Sequence, residues 1–165
     1  MKIYDRICSL LSNVMIAICC IFMMIILCSS SLQVISRYVF SNSVTWTEEA
    51  SRYSFIWMSF LGAASLAYKG GHASVDLIAQ KIKGKAKTVY QTVIYIAVIY
   101  VGFILMRYGY QLSKMTMKQT SSSLKLPMGL VYGAIPICGV FVVLFSVNLL
   151  IHVWKDRNET RGGNS

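Results

Sequence analysis

Residues 7–36 read ICSLLSNVMIAICCIFMMIILCSSSLQVIS, thirty positions between Arg6 and Arg37 without one charged side chain. A charge at the centre of a spanning helix costs about 2.5 to 3.5 kcal/mol, and roughly 20 residues suffice to cross a bilayer. A run this long and this apolar is therefore a membrane segment. The same measure gives 19 uncharged positions between Lys87 and Arg107 and 29 between Lys125 and Lys155. The remaining interval, Arg52 to Lys69, holds 16. It is the shortest, yet it is apolar on all sides through Phe55, Ile56, Trp57, Met58, Phe60 and Leu61. Tyr53 and Tyr68 bound it where interfacial aromatics belong. The reading is an all-α integral membrane protein of four transmembrane helices, over about 12–38, 46–68, 88–113 and 127–154. One membrane domain, residues 1–165, accounts for the chain.

Composition agrees. Of 165 residues 56% are hydrophobic and 13% charged, against about 25% charged in soluble domains, and the mean hydropathy is +0.58. Lys2 and Arg6 before the first run resemble a secretory leader, but leaders carry apolar cores of only about 7 to 15 residues. Leu27 stands where a lipoprotein site would need a small residue before Cys28. The first run is thus expected to stay as an anchor. Ten of the sixteen Lys and Arg residues fall on segments that are internal if the N-terminus is cytoplasmic, so both termini are expected on that side. The net charge of +10 fits orientation and attraction to anionic headgroups, and gives no reason to invoke nucleic acid. The five cysteines lie in or beside apolar runs with no Cys-x-x-Cys pair, as small apolar residues do.

The connection into the second helix carries the chemistry: Arg37-Tyr38-Val39-Phe40-Ser41-Asn42-Ser43-Val44-Thr45-Trp46-Thr47-Glu48-Glu49-Ala50-Ser51-Arg52. Thr45 followed by Glu48 matches a capping box, which starts a helix at Trp46. Glu48 stands four residues before Arg52, the favourable order for a helical ion pair. Cap and surface pair form one account of these residues. The other is a polar latch onto a partner membrane protein, because two acids, two arginines and a tryptophan crowd one interface in a chain with six acids in all. Spacing leaves both open.

Past the second helix, Gly70-Gly71 breaks the chain, and Val75, Ile78 and Ile82 recur opposite lysines, which suits a short interfacial helix over about 74–83. His72 and Asp76, four apart, suit a local hydrogen bond or partner contact and are too few for a metal. The segment from Lys114 to Lys125 is rich in hydroxyls and has no carboxylate, as an exposed outer connection would be. Pro127 suits a first helical turn, and Pro136 is expected to kink the fourth helix or free a carbonyl.

Apart from Glu48 and Glu49 in the first turn of the second helix, no span carries an acid, and no pair of broken helices in two similar halves marks a solute site. No phosphate loop, paired nucleophile or histidine cluster supports catalysis, and no cofactor or metal is implied. A thiol oxidoreductase would need reactive cysteine pairs on outer loops, and a self-sufficient small exporter a buried membrane carboxylate. A tetraspan assembly or regulatory protein stays open. The residues fit a scaffold that braces another membrane protein.

Taken in order, Gln33-Val34-Ile35-Ser36-Arg37-Tyr38, Trp46-Thr47-Glu48-Glu49 with Arg52-Tyr53, Trp57 with Gly62-Ala63, His72 with Val75-Asp76, and Leu126-Pro127 leading to Tyr132 and Pro136 resemble the DctQ-like small membrane subunits of TRAP (tripartite ATP-independent periplasmic) transporters. The resemblance covers nearly the whole chain. It implies an extracytoplasmic solute-binding protein that delivers a carboxylate (a dicarboxylate, a sialic acid or another organic acid) to two membrane components, driven by sodium. It also implies a large elevator-type membrane subunit, here a separate polypeptide in the inner membrane, with the small subunit packed beside it. The expected partner contacts are Arg37, Trp46, Glu48, Glu49, Arg52 and Trp57 toward the outer side, and His72 and Asp76 toward the inner.

Overall fold

A computed structural model describes residues 2–39, 44–68 and 85–162. Among these the chain forms five helices: α1 (Lys2–Val39), α2 (Thr45–Tyr68), α3 (Lys85–Thr116), α4 (Met128–Tyr132) and α5 (Ala134–Gly162). His72, Asp76 and the expected interfacial helix over 74–83 lie outside the described residues.

Among the described residues, three stretches are long and apolar enough to cross a membrane: Tyr4–Val39, Val89–Thr116 and Met128–Ile151. The helix α2, 24 residues long, is not among them. At about 1.5 Å per residue it reaches roughly 36 Å, so length is not what it lacks. Arg52 and the serines at 51, 54, 59 and 65 dilute its apolar content. The helix α1 begins well before the expected residue 12, and its 38 residues reach about 57 Å, nearly twice the hydrocarbon thickness. It must tilt or project from the bilayer.

The long helices run alternately up and down and pack in a row, α1–α2–α5–α3, with α1 also touching the side of α5 and making no contact with α3. Two interior helices and two edges result. In the spanning part of α5 33% of residues are buried, against 11% in α1 and in α3. On the edge helix α1, Leu10, Ile21 and Met24 are fully outward-facing. Such apolar faces suit lipid or another membrane protein.

Interior placement of α2 follows from its small residues. Thr47, Ser54 and Leu61 are buried at seven-residue intervals, joined by Ala64 and Ser65, a narrow stripe that lets helices approach closely. Against α1 this face makes a hydrogen bond between the Ser12 and Ser65 hydroxyls at 2.8 Å, and the Tyr68 hydroxyl donates to the Asp5 carbonyl at 3.4 Å. The Tyr68 and Phe145 rings, 4.9 Å between centroids, tie the same end of α2 to α5.

The contact between α3 and α5 is made by backbone. A Cβ placed on Gly139 would stand 2.9 Å from both the Gly102 carbonyl oxygen and the Met106 nitrogen. One on Gly109 would stand 2.9 Å from the Pro136 nitrogen and Cδ. Pro136 does not kink a continuous fourth helix. The helix is instead interrupted at Gly133, which leaves Pro136 in the first turn of α5, where a missing N–H is tolerated. Pro127 stands in extended conformation just before α4.

Candidate functional site: the clasp at the start of α2

Thr45, Glu49 and Tyr53 recur every four residues and so share one face of α2. Thr45 and Glu49 meet the connection between α3 and α4, and Tyr53 meets the first residue of α4. The Thr45 hydroxyl lies 2.8 Å from that of Ser123, and the Tyr53 hydroxyl lies 3.5 Å from the Met128 sulfur. Between them, Glu49 accepts the Ser123 N–H at 3.0 Å on Oε1 and the Leu124 N–H at 2.9 Å on Oε2. The carboxylate thus uses both oxygens to hold two successive backbone amides, a charge-assisted arrangement about twice as strong per bond as a neutral one.

The held segment is a tight hairpin. Ser121 N–H donates to the Leu126 carbonyl at 2.9 Å and Met128 N–H to that of Gln119 at 2.8 Å, and an isolated bridge pairs Thr120 with Pro127. Lys125 takes a φ of 54°, the left-handed region that costs a non-glycine residue about 1 to 2 kcal/mol. The Ser113 hydroxyl donates to the Gly129 carbonyl at 2.6 Å and anchors the hairpin's base to α3. Glu49 lies ahead of the apolar part of α2, and its pKa is held below the ordinary glutamate value. The Leu124 N–H contributes most, partial desolvation opposes it, and the Ser123 N–H with the Ser121 and Ser122 hydroxyls adds to the lowering.

A second face of the same two turns is open. Glu48 and Arg52 pair there at 2.7 Å with side chains 59% and 63% exposed; Trp46, two residues before Glu48 and so on another side of the helix, is 46% exposed. The helix begins at Thr45, one residue before the expected start, and the Thr45 hydroxyl meets Ser123 while Glu48 meets Arg52. The box expected from Thr45 and Glu48 is thus replaced by two side-chain pairings. The local backbone bond made here is from the Thr47 hydroxyl to the Val44 carbonyl, 2.7 Å.

The sequence-derived contact residues therefore separate into groups. Glu48 and Arg52 are exposed together, and Trp46 is exposed on another side of α2; Glu49 is turned onto the chain's own hairpin; Arg37 is exposed in the last turn of α1. Trp57 is partly buried, its ring 6.4 Å from that of Phe22 on α1. Sequence reasoning missed Ser123 and Leu124 as the acceptors' partners. The available signal was a run of hydroxyl residues with no carboxylate of its own. No group of three His, Cys, Asp or Glu side chains that could hold a metal occurs among the described residues.

Residues 26–156 match the family model described as "Tripartite ATP-independent periplasmic transporters, DctQ component". The chain belongs to the DctQ family. The matched span includes α2, the hairpin and the spanning parts of α3 and α5. Two curated relatives from Haemophilus influenzae, each named "Putative TRAP transporter small permease protein", are similar to it. One is 28% identical over 120 residues, covering 73% of this chain and 74% of the relative. The other is 29% identical over 115 residues, covering 67% and 69%. As a DctQ-family membrane protein, this chain is a transporter component.

Proposed function

We propose that the chain is the small, non-catalytic scaffold subunit of a sodium-coupled, binding-protein-dependent TRAP transporter in the inner membrane. It braces a separate large elevator-type subunit that imports a carboxylate solute. The observation that carries this reading is the family match across 26–156, joined to a helix row whose two edges leave long apolar faces uncovered. In this reading α2 is the fourth span. Its length and its position between two spanning helices support that, and both termini lie on the cytoplasmic side. The Glu48–Arg52 pair, Trp46 and Arg37 meet the large subunit or the solute-binding protein at the outer side. Glu49 shapes the hairpin beside them, and His72 and Asp76 serve the inner contact.

The test is affinity purification of the tagged chain from its native membrane in mild detergent, with mass spectrometry of what co-purifies in stoichiometric amount. A large polytopic membrane protein is expected. A chain that runs alone, or only with itself, sinks the subunit reading and leaves a small exporter or a regulatory tetraspan protein.

A further inference from the structure

Alongside the glycine contact between α3 and α5 lies an open groove of about 950 Å³. Its walls change character along its length. Arg107, Tyr110, Gln111 and Lys114 line it toward the hairpin end of α3, and Phe103 and Met106 toward the middle. Residues 107, 110, 111 and 114 are spaced i, i+3, i+4 and i+7, which puts them on one helix face over two turns, roughly 10 Å. The facing wall, Pro136, Ile137 and Val140 of α5, is apolar throughout. Among the described residues no carboxylate pairs with Arg107 or Lys114.

We propose that this groove binds one anionic phospholipid, its phosphate held by Arg107 and Lys114 and one acyl chain laid along Phe103, Met106, Ile137 and Val140. Charge complementarity selects the head: two cations without described counter-charges, flanked by a phenol and an amide that can donate hydrogen bonds. The graded polarity selects the tail, because a free anion has no use for an apolar floor that continues toward mid-bilayer. The groove's size suits part of a lipid. Lys114 stands in the last turn of α3, where it offsets the negative helix terminus. Arg107, more than two turns inside and able to engage a phosphate through two N–H groups, is therefore the stronger anchor.

The inference does not depend on the transporter reading, since it concerns only α3 and α5. The full chain, with whatever partner it retains, is purified in a neutral detergent, incubated with equimolar dioleoyl-phosphatidylglycerol and dioleoyl-phosphatidylcholine, and examined by native mass spectrometry. One phosphatidylglycerol should be retained in preference to phosphatidylcholine. The double variant Arg107→Gln/Lys114→Gln should weaken that retention roughly 30-fold, taking about a factor of five for each cation at a membrane surface. Arg107→Lys, which keeps the charge and loses the two-point contact, should fall between the parent and the double variant, and Val140→Trp, which fills the apolar floor without touching charge, should lower retention. Circular dichroism of each variant establishes that helix content is intact. Equal retention of the two lipids, phosphatidylglycerol binding untouched by the double variant, displacement by millimolar inorganic phosphate, or a co-purified protein that excludes the lipid would each overturn the assignment.

Discussion

The two antiparallel helix pairs of this protein are joined by different means. Between α1 and α2 the contact is made by short polar side chains, Ser12 with Ser65 and Tyr68 with the Asp5 carbonyl. Between α3 and α5 it is made by absent side chains, with Gly102, Gly109 and Gly139 bringing two backbones together. Inside a membrane, lipid tails are as apolar as leucine, so hydrophobic burial gives little reason for helices to associate. Dispersion at close range and interhelical hydrogen bonds are what remain. Close backbone contact is unforgiving of any added atom; a hydroxyl pair is tunable and weak.

The sharpest way to break this contrast is Gly139→Leu. Its Cβ would meet backbone atoms on α3, which cannot rotate aside as a side chain can. Overpacking of this kind costs about 1 to 3 kcal/mol, occasionally more, and here the upper end is expected because the whole α3–α5 contact must open. Thermal unfolding in detergent should show a fall in Tm large enough to reduce yield. A variant as stable as the parent would mean that the helices do not approach as closely as the glycines permit.

Next comes the clasp, which joins the two pairs through Glu49. Because the folded-state pKa is lowered, the clasp's contribution is fully present above the ordinary glutamate value and is lost as pH falls through the depressed one. Hydrogen exchange at the Ser123 and Leu124 amides should therefore be slow near neutral pH. After correction for intrinsic rates, protection should fall on acidification. Glu49→Gln should abolish the pH dependence and leave one amide unprotected at every pH, since a neutral carboxamide presents one acceptor oxygen for two donors. Identical protection in parent and variant would remove Glu49 from the hairpin.

Three spanning segments were legible in the sequence because the cost of a charge in hydrocarbon does not depend on packing. The interval between Lys125 and Lys155 does hold a stretch, Met128–Ile151, long and apolar enough to cross a membrane, although its break at Gly133 did not show. The side-by-side order of the helices was not legible. A soluble helix marks its buried face by apolar periodicity, whereas here Leu10 and Met24 face outward while Ser12 is buried. Glu49 illustrates the other gap. Local spacing offered it a helix cap or a partner, and the amides it holds lie 74 and 75 residues away.

A milder loss is expected from Ser12→Ala. The hydroxyl pair with Ser65 is buried, but hydrogen bonds between membrane helices average about 0.6 kcal/mol and reach about 1.7 at most. The variant should unfold only slightly earlier than the parent, and the Ser12→Ala/Ser65→Ala double variant somewhat earlier again, because the Ser65 hydroxyl also donates to the Ser12 carbonyl at 3.3 Å, a bond that Ser12→Ala alone leaves in place. A loss comparable to that of Gly139→Leu would erase the distinction between the two pairs.

The smallest effect on stability belongs to the Glu48–Arg52 pair, and for that reason it is the most informative about function. With both side chains more than half exposed, a helical pair of this kind contributes about 0.3 to 0.5 kcal/mol. Arg52→Glu places two like charges four residues apart and should cost a similar amount, leaving insertion and Tm nearly unchanged. If the exposed face of Glu48 and Arg52 meets a partner, reversing the charge of Arg52 should still reduce solute uptake in reconstituted vesicles or whole cells. A stable, inserted variant with reduced uptake would assign this face to partner contact, independently of the hairpin that Glu49 holds. A stable variant with unchanged uptake would return Glu48 and Arg52 to the role that spacing alone gives them, a surface pair at the mouth of a helix.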